Sequence, residues 1–224
     1  MTLASFHSDS AGHVVVIDDD ESIRRSLYTL LTHEGYLVCV HASADEFLQN
    51  TVMPSPAVIL SDMRMPGRTG VDLQAELKLR GIDMPIVFVS GDSRPEEIIQ
   101  AMKQGAVDFL LKPFSARSLI DVMRHAMQIA RQRMVQTGRQ AEVSERLKRL
   151  TPRELEICHW MVRGYSNQQI SVVDGAAPAT IKLHRARVME KMEAANLPAL
   201  IEMLSDTRLP QAPRAKLDPN QVED

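Results

Sequence analysis

The sequence predicts an α/β fold for its first half, a five-stranded, doubly wound parallel sheet, followed by a long helical linker and a small all-α domain. Three observations predict this architecture. Five short apolar runs each precede an amphipathic stretch, a helical pattern then continues without proline from residue 116 to Pro152, and shorter helical patterns follow it.

Five runs define the predicted strands: VVVI at 14–17, YLVCV at 36–40, AVIL at 57–60, PIVFV at 85–89 and VDFLL at 107–111. Nearly continuous apolar runs of this length are typical of strands buried on both faces. Any one of them could be a buried helix segment. Five regular alternations with helical stretches, which begin near residues 21, 43, 71, 95 and 115, favour a parallel sheet.

The helical pattern from Ala116 predicts a long helix. Apolar residues recur at helical spacing at positions 119, 122, 123, 126, 129, 130 and 134. We interpret residues 131–149 as a helical linker that could coil against a partner. Further helices are predicted to start near Pro152, Asn167, Pro178 and Leu197, and the polar, proline-rich segment 205–224 is expected to be a disordered tail.

Charge is distributed unevenly along the 224 residues. Residues 1–120 carry 16 acids and 10 bases, residues 121–150 carry 3 acids and 7 bases, and residues 151–204 carry 6 of each. An acidic first half does not suit polyanions, so we expect any nucleic-acid contact behind residue 120. Without an apolar run of about 20 residues or a secretory signal, the sequence predicts a cytoplasmic protein with no membrane contact.

Polar side chains follow four of the predicted strands. The run Asp18–Asp20 follows the first strand, Asp62 the third and Ser90 the fourth, while Lys112 follows the fifth. Because ligands bind beyond the carboxyl ends of parallel strands, these groups should converge in one crevice. Converging carboxylates repel one another unless a hard cation joins them, and Mg²⁺ takes oxygen ligands. A neighbouring lysine and serine could bind an added phosphoryl group.

Each of these groups also has an ordinary structural interpretation. An aspartate run after a strand is often a solvated loop that caps the next helix, a Lys-Pro pair is often a turn, and a serine often ends a strand. Taken singly, these are the more common cases. Their coincidence at the ends of four strands favours a magnesium and phosphoryl site.

Four motifs carry a resemblance to a known family: VVVIDDDESIRRSL at 14–27, SDMRMPGRTGVDL at 61–73, PIVFVSGD at 85–92 and GAVDFLLKPF at 105–114. In their order and spacing, residues 13–130 resemble the receiver domain of a two-component response regulator of the FixJ-like subfamily. The resemblance implies that Asp62 accepts a phosphoryl group from a phosphohistidine of a sensor histidine kinase. It also implies Mg²⁺ as cofactor, held by Asp18, Asp19, Asp62 and the backbone carbonyl of Arg64.

The same resemblance assigns roles around the phosphoryl group. Lys112, followed by a proline at a site where the family uses a cis peptide, would pair with the carboxylates and then with phosphoryl oxygens. Ser90 occupies the switch position, and Phe109 is the aromatic that turns inward when the hydroxyl engages phosphate. Asp92 departs from the family pattern, and either pairs with Arg64 to shield the phosphoryl site or is a solvent-facing loop acid.

Residues 150–204 resemble the LuxR-type helix-turn-helix domain, through LTPRELEICHWMVRGYSNQQI and ATIKLHRARVMEKM. At 100° per residue, Ile181, Val188 and Met192 form the packing face of the recognition helix. The opposite face and its flanks would contact DNA. The residues predicted to do so are Lys182, Leu183 and Ala186 at base edges, and His184, Arg187 and Lys191 at phosphates.

The turn before that helix departs from the family pattern Leu-Gly-Ile-Ser and reads Asp174-Gly175-Ala176-Ala177. Gly175 keeps the left-handed cap position. An unpaired buried carboxylate would be costly, so we expect Asp174 to face solvent and Val173 to fill its pocket. Ala177 removes the serine cap of the recognition helix.

The sequence thus predicts a phosphorylation-activated transcription regulator that dimerises on phosphorylation and binds promoter DNA. It would not be an enzyme beyond catalysing its own phosphotransfer and dephosphorylation. One alternative is a receiver-linked protein-interaction module whose helix-turn-helix no longer binds DNA specifically. A second is a phosphohydrolase acting through an aspartyl phosphate, against which Asp62 is followed by Met-Arg rather than by x-Asp.

Overall fold

The structure of the chain, a computed structural model, describes residues 11–49, 55–91, 94–205, 207 and 209–210. Asp92 and most of the predicted disordered tail lie outside these residues, so both expectations stay predictions. The chain divides into two units, Met1–Val135 and Gln136–Asp224. Among the described residues, no helix combines the length and the apolar character that crossing a bilayer requires.

The first unit is built on a parallel sheet with strand order β2-β1-β3-β4-β5. The strands are β1 (His13–Ile17), β2 (Leu37–His41), β3 (Ala57–Asp62), β4 (Ile86–Ser90) and β5 (Asp108–Leu111). All five predicted strands and their parallel arrangement are confirmed. The strand order reverses between β1 and β3, which opens a crevice at the carboxyl ends of these two strands.

Helices cover both faces of this sheet: α1 (Glu21–His33), α2 (Ala44–Gln49), α3 (Gly70–Leu79), α4 (Pro95–Lys103) and α5 (Ala116–Lys148). Alternate residues of β1 enter two separate cores. Val14 and Val16 pack with side chains of α1 and α5, whereas Val15 and Ile17 pack with side chains of α2, α3 and α4. This two-sided burial explains why the strands read as continuous apolar runs.

In the described part of the second unit, four helices follow the end of α5: α6 (Pro152–Val162), α7 (Asn167–Asp174), α8 (Pro178–Met192) and α9 (Leu197–Leu204). All four start at the predicted residues. Trp160 and Ile157 are buried at the centre of this unit. Val143 and Leu147 of α5 belong to the same core, so the last turns of the segment predicted as a linker are part of the second unit.

Candidate functional site

Three carboxylates meet at the crevice between β1 and β3. One oxygen each from Asp18, Asp19 and Asp62 lies within 4.8 Å of the others, with Asp18 and Asp62 buried and Asp19 exposed. Asp20 serves a different purpose, since its Oδ1 accepts hydrogen bonds from Ser22 N at 2.7 Å and Ile23 N at 3.2 Å and caps α1. The capping interpretation of the aspartate run therefore holds for Asp20, and the three remaining oxygens form a donor set that fits a hard divalent cation.

Lys112 connects two of these carboxylates. Its Nζ lies 2.8 Å from Asp18 Oδ2 and 2.6 Å from Asp62 Oδ2, and the peptide bond to Pro113 is cis. Burial raises the pKa of the Asp18 carboxyl above its usual value, although the hydrogen bond from Lys112 opposes this. Burial alone would lower the pKa of the Lys112 ammonium, but the hydrogen bonds and charges of Asp18 and Asp62 outweigh it and raise that pKa.

The backbone around Asp62 is held closely. Arg64 N donates to Asp62 Oδ1 at 3.0 Å. At Gly70 a Cβ would lie 2.4 Å from the carbonyl oxygen of Asp62, so only glycine fits there. Ser90 is buried at the end of the neighbouring strand β4, and Phe109 is half-buried on β5. The sheet therefore places Asp62, Ser90 and Phe109 on three successive strands, β3, β4 and β5.

One contact in this crevice was not predicted. The guanidinium of Arg64 makes two hydrogen bonds to the carboxylate of Glu97 in the first turn of α4, at 3.1 and 3.2 Å. Sequence spacing gives no sign of such a pair, because its two residues lie 33 positions apart on different elements. The proposed pairing of Arg64 with Asp92 lies outside the described residues.

The recognition helix α8 presents the faces that its periodicity predicts. Ile181, Val188 and Met192 are fully buried, which confirms the packing face. The six residues predicted to contact DNA differ in solvent exposure. Lys182, Leu183, Ala186 and Arg187 are exposed, while His184 and Lys191 are half-buried.

Lys191 already has a partner. Its Nζ lies 2.6 Å from Oε2 of Glu154, whose side chain is buried. A phosphate contact by Lys191 would therefore compete with this ion pair.

The expectation that Asp174 faces solvent is wrong. Its side chain is only 4% exposed and forms an ion pair with Arg153, which also contacts Glu156 at 3.1 Å. The expectation assumed that a buried carboxylate would lack a partner, and the start of α6 supplies one. Gly175 adopts the left-handed conformation with φ 75°, as predicted. Val173 is half-buried against the core of the unit, but the Asp174 side chain is itself buried and leaves no vacated pocket of the kind expected.

Two family models match the chain. Residues 14–124 match the response regulator receiver domain, and residues 148–204 match the bacterial regulatory proteins of the luxR family. The transcriptional regulatory protein FixJ of Azorhizobium caulinodans is 38% identical over 190 residues, which cover 85% of this chain and 90% of that protein. Nodulation protein W of Bradyrhizobium diazoefficiens is 37% identical, with 85% and 84% covered.

Two solved structures are also similar to the chain. The response regulator StyR matches with a TM-score of 0.74 at 32% identity, covering 87% of this chain and 98% of that one. Full-length FixJ from B. japonicum matches with a TM-score of 0.55 at 33% identity, covering 92% and 98%. The chain therefore belongs to the FixJ-like two-component response regulators, transcriptional regulators that join a receiver domain to a LuxR-type DNA-binding domain.

Proposed function

We propose that phosphorylation of Asp62 by a sensor histidine kinase controls dimerisation and DNA binding by this regulator. The observation that carries the proposal is the bridge from Lys112 to Asp18 and Asp62, beside Asp19, at the reversal point of the sheet. We assign residues 13–130 to the receiver, 131–149 to the helical linker and 150–204 to the DNA-binding domain, which we call the reader.

Phosphoryl transfer at this site needs positioning and charge neutralisation more than covalent assistance. The Asp62 carboxylate attacks phosphorus in line, so that an O–P bond forms while the P–N bond of the phosphohistidine breaks and the imidazole leaves. Asp18, Asp19, Asp62 and the Arg64 carbonyl would hold Mg²⁺, which when bound offsets the charge of the phosphoryl oxygens. Lys112 would pass from the carboxylates to a phosphoryl oxygen, because its ammonium has three donors.

Phosphorylation would then change the conformation of the switch residues, Ser90 and Phe109. The Ser90 hydroxyl donates to the phosphoryl group and Phe109 turns inward, which biases a two-state equilibrium that exists before phosphorylation. Ile99 and Met102 of α4 and Leu111 of β5 are exposed apolar side chains next to this region. Burying them between two copies would bring two readers onto paired half-sites of DNA.

The reader would contact DNA through α8. Lys182 can donate to guanine, while Leu183 and Ala186 can meet thymine methyl groups. His184, Arg187 and Lys191 would bind phosphates, Lys191 only at the expense of its bond to Glu154. The Arg153–Asp174 pair supports this assignment over a protein-interaction module, because it gives the altered turn a buried partner.

Selection from a random DNA pool tests the proposal directly. The full-length protein would be used at fixed salt with and without beryllofluoride, beside Lys182→Ala and a matched receiver variant, Lys78→Ala. We expect a palindromic consensus that beryllofluoride strengthens, that Lys182→Ala loses and that Lys78→Ala keeps. Weak binding without a consensus, erased by salt, would leave only phosphate contacts and favour the protein-interaction module.

A further inference from the structure

Arg64 contacts Asp62, the proposed phosphoacceptor, through its backbone, and it contacts helix α4 through its side chain. Its N–H donates to Asp62 Oδ1 at 3.0 Å, so the residue is anchored at the carboxylate. Its guanidinium binds both carboxylate oxygens of Glu97 on α4. The pair therefore joins the loop after β3 to the first turn of α4.

Glu97 has a second task in that turn. Its Oε2 also accepts a hydrogen bond from Arg94 N at 3.1 Å, which completes the cap of α4. The backbone N–H of Arg94 and the Arg64 guanidinium hold the pKa of the Glu97 carboxyl below its ordinary value, so it is an anion at neutral pH. One carboxylate oxygen thus serves both the arginine and the start of the helix.

A phosphoryl group on Asp62 would change the balance of charge around Arg64. It adds about 1.5–2 negative charges and three strong acceptor oxygens. A guanidinium can bind phosphate through two parallel hydrogen bonds from different nitrogens, whereas both bonds to Glu97 come from Nη2 of Arg64. The side chains of Arg64 and Glu97 are 42% and 38% exposed, and ion pairs at such exposure are weak enough to be exchanged.

The geometry points to Arg64 as a phosphoryl-binding residue that exchanges Glu97 for the phosphoryl group on Asp62. Glu97 is then a competitor of the phosphoryl group in the unphosphorylated protein. This inference rests on the proposed function, since it requires Asp62 to be the phosphoacceptor. The exchange also releases a constraint on the first turn of α4, the helix that carries exposed Ile99 and Met102.

If the Arg64–Glu97 pair were purely structural, it would fix the start of α4, and Arg64 would not bind the phosphoryl group. Substitution of Glu97 by glutamine separates the two cases. Glutamine can still accept the backbone hydrogen bond of a capping box, so the start of α4 is kept while the negative charge that holds Arg64 is removed.

The experiment is a double-mutant cycle on the full-length protein with Glu97→Gln, Arg64→Gln and the combined variant. Beryllofluoride binding at constant Mg²⁺ would be titrated by ¹⁹F NMR, and thermal unfolding would confirm that each variant is folded. We expect Glu97→Gln to tighten beryllofluoride binding about twofold to fivefold, because a competing surface ion pair is removed. Arg64→Gln should weaken it about tenfold, because a charged hydrogen bond to the phosphoryl mimic is lost. In the Arg64→Gln background, Glu97→Gln should have no effect.

Two results would overturn the exchange: no tightening by Glu97→Gln, or an equal effect of Glu97→Gln in both backgrounds. Arg64→Lys gives a second variant that keeps the charge but not the paired donors, and its affinity should lie between wild type and Arg64→Gln. A different set of results would contradict the proposed function. If the wild type neither binds beryllofluoride nor incorporates phosphate from acetyl phosphate, or if Asp62→Asn still incorporates it, then the assignment of Asp62 is wrong.

Discussion

Buried carboxylates occur in both units of this regulator, but they are neutralised differently. In the receiver crevice, Asp18 and Asp62 share the single ammonium of Lys112. In the reader, Glu154 pairs with Lys191, and Asp174 pairs with Arg153, whose guanidinium also contacts Glu156. Both arrangements hide acidic groups from water, but only the receiver crevice, of these two, brings a third carboxylate, Asp19, to the same place.

The difference separates a ligand site from a structural contact. Three carboxylates around one lysine, counting Asp19, carry more negative charge than its ammonium offsets, and a further cation or proton would offset the rest. In the reader, each buried acid meets a basic side chain of a different helix, and removing one member of such a pair is costly. Three carboxylates that converge on one ammonium therefore mark the place where chemistry is expected, whereas acids paired with a basic side chain of another helix mark the place where helices are joined.

The largest effect in the receiver is expected from Asp62→Asn. We expect this substitution to abolish Mg²⁺-dependent incorporation of phosphate from acetyl phosphate, because the neutral amide is no nucleophile for phosphorus. Phosphate-affinity gel electrophoresis measures the phosphorylated fraction. Asp121→Asn, on the exposed surface of α5, is the matched control and should behave as the wild type. If the Asp62→Asn protein were phosphorylated to the wild-type level, the phosphoacceptor would have to be another residue.

In the reader, we expect substitutions of Arg153 and of Asp174 to change the free energy of unfolding by unequal amounts. Arg153→Met would leave the Asp174 carboxylate buried without its partner and should cost about 3–5 kcal/mol in the free energy of unfolding. Asp174→Leu leaves Arg153, which is 28% exposed and keeps Glu156, so it should change stability by no more than about 1 kcal/mol. Denaturant unfolding followed by the fluorescence of Trp160, the chain's one tryptophan and part of the reader core, measures this.

The combined variant Arg153→Met with Asp174→Leu should recover to within about 1 kcal/mol of the wild type, since an apolar pair can replace a buried ion pair. Arg139→Met on the exposed surface of α5 controls for the loss of an arginine. Equal costs for the two single substitutions would mean that Asp174 is hydrated when Arg153 is removed, and that the pair is not a buried one.

The fold was predictable from the sequence because it depends on local pattern. Five apolar runs and their helices defined the sheet, and a 100° period defined the buried face of α8 through Ile181 and Val188. The strand-end residues were predictable because parallel strands bring their carboxyl ends together. Asp174 was placed wrongly because its partner Arg153 lies 21 residues away, and no local pattern predicts which distant side chains will pair.

Acid should weaken the reader through Glu154. Burial raises the pKa of this carboxyl, but the hydrogen bonds from Lys191 and Thr151 outweigh burial and hold it below its ordinary value of 4.5. A carboxyl with a lowered pKa in the folded state stabilises the fold above its unfolded pKa, and this contribution is lost as pH falls through the folded value. The loss should therefore begin near pH 4.5 and continue below it.

Glu154→Gln separates this group from the other acids, because glutamine keeps the cap at Thr151 but cannot titrate. The wild type should be more stable than the variant at pH 7 by about 1.5–3 kcal/mol, the value of a hydrogen bond to a charged group. The difference should vanish toward pH 3 in unfolding curves recorded by Trp160 fluorescence. A difference that stays constant with pH would show that Lys191 does not depend on the charge of Glu154.

The smallest expected effect concerns the cap of the recognition helix. Ala177 occupies the cap position of α8 with φ −58° and ψ 144° and offers no side-chain acceptor. Ala177→Ser should add about 1 kcal/mol to the stability of the reader by accepting a backbone N–H of the first turn. Ala186→Ser, at an exposed position inside the same helix, should instead cost a few tenths of a kcal/mol, about the difference in helix propensity. If both serines shift unfolding in the same direction, the effect is not capping. Opposite shifts would show that the altered turn is weakened at Ala177 and not at Asp174, whose charge is already paired.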